Sequence, residues 1–266
     1  MRIALLLSGR VIRINSFIGL LKKEKDKYDI DVFISTNDVY SEYYAKLQQA
    51  IGIHLKGFKC TEYNVPDGFK NIWYNHVDGI NNYMLIGYEK TTAAYRTLSS
   101  IYNDNQCFNM AKQYADTYNF EYDIYLRFRS DIICDSLPDF DIDGINNNIL
   151  FSVIPVNYFQ LTPTDNPNGE INSNGGYHYY GDMKHNRKYV TGDIAYGNRD
   201  TMEIYCSCYD YVIEKNNYHK GNYFICFEYT TTTYLEDSGV NWHFFNYKYD
   251  YLQNRYTGYD EIINYV

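Results

Sequence analysis

The sequence predicts an α/β protein in which a mostly parallel central sheet carries helices on both faces. Three observations predict it. Short apolar runs alternate with stretches of helical periodicity through the first half of the chain. The run Tyr122-Asp123-Ile124-Tyr125-Leu126-Arg127-Phe128-Arg129-Ser130-Asp131 reads as an internal strand ending on charged residues. Hydrophobic residues make up 45% of the 266, enough for one full core and well outside the disordered range.

The elements follow in order. Residues 2–7 form a first buried strand and lead through Ser8-Gly9-Arg10 into a helix over about 14–27, lysine-rich at its end. Residues 31–35 form a second strand, closed by Thr36-Asn37-Asp38. A helix over 40–51 places Tyr44, Leu47 and Ile51 on one face, and a third strand over 54–60 follows. Pro66-Asp67-Gly68 is a turn by composition. Helical periodicity runs from 91 to 119, with Asn103-Asp104-Asn105 as a point where it breaks into two helices. The strand 124–128 comes next. In the second half, 150–156 reads as a strand, 191–197 as a short strand, 199–215 and 223–235 as helices, and 240–247 as a strand. Between them, 162–188 is loaded with Asn, Gly, Pro and Asp, as a lid or binding loop is.

Composition removes several function classes. A net charge of -9 argues against a general nucleic-acid binder, so no nucleic-acid partner is expected. No run of 18 apolar residues predicts a transmembrane helix, and Ile3–Leu7 is too short for a signal peptide. The six cysteines show no disulfide spacing, so reduced thiols and a cytoplasmic location are expected. The 33 tyrosines, with abundant Asn, Ile and Lys, fit an AT-rich genome rather than a functional signal.

The strand ending at Asp131 is where chemistry is expected. Arg127, Arg129 and Asp131 share one face, and such charges are costly to bury unless a charged partner needs them. Open α/β sheets bind ligands at the carboxyl ends of their strands. The triplet Arg129-Ser130-Asp131 resembles the Asp-x-Asp motif of GT-A glycosyltransferases, read as Arg-x-Asp. Arg129 departs from that motif, since a guanidinium cannot bind a metal and suits a phosphate or an acid. The resemblance extends to the order of Leu7-Ser8-Gly9-Arg10 with Arg13, Asp31 to Thr36, Tyr122 to Asp131, Gly192-Asp193-Ile194-Ala195-Tyr196-Gly197 with Met202, Phe227-Glu228, and Arg255. In that order the chain looks like the WavE-type lipopolysaccharide-synthesis glycosyltransferases and similar viral enzymes, from about residue 1 to 256.

The resemblance implies a GT-A-like, single Rossmann-like domain over 1–266. Residues 1–135 would be the nucleotide-sugar half and 136–266 the acceptor half, with a flexible segment at 162–188. It implies a nucleotide-sugar donor (a UDP-sugar favoured), a glycan or glycoconjugate acceptor, and Mn2+ or Mg2+ as cofactor. Asp131 would hold the cation, with His243 as a further ligand; a lone histidine on an aromatic strand is more often simply packed. Ser8, Gly9, Arg10 and Arg13 would border the nucleotide, or form a plain turn with solvated arginines. Asn37 and Asp38 would meet uracil or ribose, or cap a helix. Arg129 would contact phosphate. Asp193 is the first candidate for the base that deprotonates the acceptor and Glu228 the second, each alternatively a cap or an ion-pair partner. Asp135 would assist the cation or lie on the surface. His178 and His185 would meet phosphates on closure. A catalytically silent carbohydrate- or nucleotide-binding protein on the same fold is the competing reading. A sulfotransferase lacks support, because the Lys-rich phosphate loop is missing.

Overall fold

The structure, a computed structural model, describes residues 1–9, 11, 14–37, 41–64, 66, 90–129, 132–153, 181–182, 187–188, 190–214 and 227–251. Strand β1 (Arg2–Ser8) is buried on both faces, and helix α1 (Ile14–Glu24) follows it. On α1, Ile14, Phe17, Ile18 and Leu21 recur at helical spacing and are buried, while Lys22 and Lys23 sit in the last turn against the negative helix end. Strand β2 (Asp29–Thr36), helix α2 (Ser41–Ile51) and strand β3 (Leu55–Cys60) complete the first three-strand unit.

Helix α3 runs unbroken from Lys90 to Tyr118, so the expected break at Asn103-Asp104-Asn105 does not occur. All three residues are buried, and Asn103 and Asp104 hydrogen-bond to strand residues instead of turning the chain. Strand β4 (Ile124–Phe128) follows, then the short β5 (Ile132–Ile133), helix α4 (Ile142–Asn146) and strand β6 (Ile149–Val153). The pair β7 (Gly181–Asp182) and β8 (Arg187–Lys188) is the described part of the Gly- and Asn-rich segment. Strand β9 (Ile194–Gly197) leads into α5 (Arg199–Cys206) and α6 (Cys208–Glu214), two helices meeting at Ser207 where one was expected. Helix α7 (Phe227–Asp237), strand β10 (Asn241–Phe245) and β11 (Asp250–Tyr251) close the order.

Among the described residues, seven strands form the central sheet in the order β10-β6-β9-β4-β1-β2-β3. β1 pairs parallel with β2 and β4, β2 with β3, and β6 with β10. β9 runs antiparallel between β4 and β6. The sheet is thus mostly parallel with helices on both faces, the α/β class expected from the sequence. β9, from late in the chain, zips beside β4, so the sheet draws neighbouring strands from both halves.

Side-chain alternation splits the core in two. Ile3, Leu5, Leu7, Val32, Ile34, Ile124, Leu126, Phe128, Ile194 and Tyr196 meet α1 and α2 on one face. Ala4, Leu6, Phe33, Tyr125 and Ala195 meet α3 and α5 on the other. Each fully buried Leu, Ile or Phe contributes about 1.5–3 kcal/mol relative to exposure. On α3, Cys107, Ala111 and Ala115 recur every four residues and are fully buried, so the helix lies close on β1 and β2. The Cys107 thiol reaches the carbonyls of Leu7 at 3.1 Å and Phe33 at 3.6 Å.

At the opposite end of the sheet the chain is locked by charge. Asp31 accepts 2.8 Å hydrogen bonds from Arg2 and from the Tyr122 hydroxyl, and the Arg2 guanidinium stacks 3.5 Å from the Phe120 ring centroid.

Cys60, Cys107, Cys134, Cys206 and Cys208 are thiols, and Cys226 lies outside the described residues. Burial pushes the Cys107 and Cys206 thiols well above their ordinary range and Cys208 up to about 12. The thiolate is the reactive form, so these three should stay unlabelled at neutral pH. Titration with an aromatic disulfide reagent should label the exposed Cys60 in the native protein and reach Cys107, Cys206 and Cys208 only on unfolding. Native labelling of all three would show that their burial is not as described.

Candidate functional site

The parallel strands β1, β2, β4, β6 and β10 end on one edge of the sheet, and antiparallel β9 begins there. The strand order changes direction at β1 and β4, the position where open α/β sheets take their ligands. Ser8 and Gly9 end β1, Thr36 and Asn37 end β2, Arg129 follows β4, and Asp193 precedes β9. The structure brings these residues to one edge.

Gly9 turns the chain out of β1 with φ of +87°, a conformation that side chains disfavour, and a Cβ there would meet no atom within 4 Å. Its N–H donates to the Ser35 carbonyl at 2.9 Å, tying the ends of β1 and β2 together. Beneath them lies a polar layer contributed by α3. The Ser35 hydroxyl donates to Asn103 Oδ1 at 2.7 Å, and the Ser8 hydroxyl donates to Asp104. Asp104 Oδ1 also accepts from Arg127 Nε at 3.0 Å, an ion pair with both side chains buried. The Arg127 guanidinium lies 5.4 Å from the Phe227 ring centroid.

Asn103 fixes the orientation of Asn37. Its Nδ2 donates to the Ser99 carbonyl at 2.7 Å, and a carbonyl can only accept. The same Nδ2 therefore donates to Asn37 Oδ1 at 2.9 Å, which leaves the Asn37 amide nitrogen as the group it offers to a ligand. Asn37 is half-buried.

Asp193 sits beside Arg129. The Arg129 N–H donates to the Asp193 carbonyl at 3.2 Å, and Arg129 Nη1 lies 3.3 Å from Asp193 Oδ1. Tyr249 donates its hydroxyl to Asp193 Oδ2 at 2.8 Å. The carboxylate is buried, whereas the Arg129 side chain is 39% exposed. The segment before Asp193 is held on two sides: the Thr191 N–H donates to the Ser152 hydroxyl at 3.1 Å, and the Val190 N–H donates to Thr232 of α7 at 2.8 Å. Gly192 completes the fit. A Cβ there would come within 2.9 Å of the Phe227 ring, so glycine lets α7 begin against this segment. The Gly192-Asp193 and Phe227-Glu228 blocks, 35 residues apart in sequence, thus meet through Phe227 and Gly192. Glu228 lies in the first turn of α7; its side chain is outside the described residues.

The chain after β4 is framed by the late segment 247–251. Tyr247 donates to the Ser136 carbonyl, and β11 pairs with β5 through Asp250↔Ile133 and Tyr251↔Ile132. Arg10, Arg13, Asp38 and Asp131 lie outside the described residues, as do His178, His185 and Arg255. Asp135 is fully exposed, 4.0 Å from Lys23.

His243 is not brought to the others. It lies exposed in the middle of edge strand β10, its ring edge-on to Phe151, three strands or roughly 14 Å across the sheet from β4. Among the described residues no group of three or more His, Cys, Asp or Glu side chains could hold a metal ion. Asp193 has both oxygens engaged by Arg129 and Tyr249. The described residues therefore do not fit a cation cage, and they offer the Arg129 guanidinium and the Asn37 amide instead.

Sequence reading gave no site role to Asn103, Asp104, Tyr249 or Phe227. A signal existed for Asn103, since Ser99, Asn103, Cys107, Ala111 and Ala115 form one stripe at four-residue spacing, with Asp104 next to it in sequence.

No family model matches the chain. No curated protein matches it either. Among solved structures, it is similar to the galactosyltransferase LgtC in complex with donor and acceptor sugar analogues, at 11% identity and a TM-score of 0.45, covering 91% of this chain and 73% of that one. It is also similar to core-mannan synthase A from Aspergillus fumigatus in a Mn/GDP form, at 13% identity and a TM-score of 0.44, covering 91% and 72%. A third is a nucleoside-diphosphate-sugar pyrophosphorylase from Vibrio cholerae, at 11% identity and a TM-score of 0.40, covering 92% and 91%. Among the described residues no helix is long and apolar enough to cross a membrane.

Proposed function

We propose that the protein is a glycosyltransferase that moves a sugar from a nucleoside-diphosphate sugar to a hydroxyl of a glycan or other acceptor. The observation that carries this reading is the meeting of the Gly9 turn, Asn37, Arg129 and Asp193 at the edge where the strand order reverses. A nucleoside diphosphate is a leaving group that gains negative charge as the glycosidic bond breaks. Arg129, partly exposed beside that edge, suits that charge, and the absence of a side chain at Gly9 lets a ligand approach the turn closely. Asn37 offers a donor, which fits the ring carbonyl of a uracil or a guanine rather than the exocyclic amine of an adenine, and a uridine nucleotide is the one this reading takes. A cation would be held by Asp131. The thiols suit the reducing cytoplasm.

Asp193 is the base in this reading. Arg129 leaves Oδ1 for the donor's diphosphate, and the acceptor hydroxyl then gives its proton to that oxygen while Tyr249 holds Oδ2. Glu228, at the start of α7, is the reserve candidate.

Titration calorimetry with UDP, GDP and adenosine bisphosphate, with and without manganese, tests the assignment. UDP is expected to bind, more tightly with manganese, and Asp131→Ala is expected to remove only the manganese-dependent part. Equal affinity in manganese and in EDTA would remove the cation from the reading, and binding of no nucleoside diphosphate would end it.

The silent binding protein remains the second reading. It is favoured by the pairing of Asp193 with Arg129 and Tyr249, which occupies the one carboxylate described at the site edge. Donor binding without turnover of any acceptor or of water would select it.

A further inference from the structure

Two adjacent residues of α3 grip the ends of three adjacent strands. Asn103 takes Ser35 and Asn37 of β2 and its outgoing loop, while Asp104 takes Ser8 of β1 and Arg127 of β4. The stripe that carries Asn103, with Asp104 beside it, is apolar and small where α3 lies on the sheet, and turns polar where the strands end.

The buried ion pair is a poor device for stability. Asp104 Oδ2 and Arg127 Nη1 are both buried with no hydrogen-bond partner among the described residues, and the nearby Tyr205 hydroxyl is likewise without one. Burying such groups is costly, and replacing a buried pair with apolar side chains of similar volume is often neutral or stabilising. What the pair does provide is geometry. It sets Ser8, and so the Gly9 turn, in fixed relation to the end of β4, where Arg129 emerges two residues after Arg127.

We propose that Asp104, with Arg127, is a positioning unit that holds the Gly9 turn and Arg129 in register for an anionic ligand, acting through Ser8 and β4 without touching that ligand. The inference rests on the nucleotide-sugar reading for the ligand's identity, but its geometric content does not. A double variant, Asp104→Leu with Arg127→Met, separates positioning from simple support of the fold. A residue that only supports the fold is replaced by packed apolar side chains; one that positions is not.

Three measurements decide it in Asp104→Asn and in the double variant: thermal unfolding, UDP affinity in manganese by calorimetry, and amide exchange of Gly9 in the ligand-free protein. In the double variant the unfolding midpoint is expected to stay near wild type, UDP binding to weaken by about 10–100-fold as misplaced binding groups do, and Gly9 exchange to rise selectively above that of Leu5 or Val32. Should Asp104→Asn fail to fold, the double variant still decides. Wild-type affinity with wild-type Gly9 exchange in the double variant would overturn the proposal. Exchange that rises equally throughout the sheet would also overturn it, as loss of global stability. If wild type binds no UDP, the functional reading fails, and Gly9 exchange alone still judges the positioning role.

Discussion

Replacing Asp193 with Asn is expected to cut sugar transfer by about 10²–10⁴-fold, the usual contribution of a positioned general base. Affinity for the nucleoside diphosphate should stay within a few-fold. The amide keeps the shape of the carboxylate, so Tyr249 and the Arg129 N–H retain acceptors. It removes the charge that competes with a diphosphate for Arg129, so donor binding is not expected to suffer. A fall in turnover at unchanged donor affinity is the signature of an interaction made in the transition state. Tyr249→Phe gives a graded companion measurement, since it removes one hydrogen bond from the base and leaves its charge. Near-normal turnover in Asp193→Asn, or loss of donor binding outright, removes the base assignment and makes Glu228 the next residue to test.

The elements that hold this site were legible to different degrees. β1, β2 and β4 were readable because strands buried on both faces are short apolar runs, and β4 carries Ile124, Leu126 and Phe128 on one parity. Their ends were readable too, because Gly9 and Asn37 are residues that turns favour. The continuity of α3 was not. Asn-Asp-Asn in solvent competes with the helix backbone, but here Asn103 and Asp104 spend their side chains on Ser35, Ser8 and Arg127. That is a tertiary contact 68 or more residues away for the two serines, and no local pattern encodes it. The neighbourhood of Asp193 was hidden for a similar reason. Its partners Arg129 and Tyr249 lie 64 and 56 residues away, and an antiparallel strand inserted late in the chain is what joins them. His243 stands apart from the described site residues, on an edge strand three strands from β4, a placement that depends on sheet order and not on any local pattern.

Removing Arg127 alone is expected to destabilise the protein severely. Arg127→Met leaves Asp104 buried at 2% exposure without its countercharge, and breaking one partner of a buried ion pair typically costs about 3–5 kcal/mol. For a chain of this length that lowers the unfolding midpoint by roughly 5–10 °C. The Arg2–Asp31 pair supplies the comparison. Its geometry is as good, at 2.8 Å, and Asp31 is as deeply buried. Yet Asp31 keeps the Tyr122 hydroxyl at 2.8 Å and Lys56 at 3.7 Å when Arg2 is lost, so its charge is never left alone. Asp104 would keep only the neutral Ser8 hydroxyl among the described contacts. Arg2→Met should therefore cost clearly less than Arg127→Met, by two-fold or more in free energy. Denaturant unfolding of the two variants side by side measures this. If Arg2→Met proves the more damaging, or Arg127→Met unfolds like wild type, then water reaches Asp104 and the pair is not the dry, mutually dependent unit described.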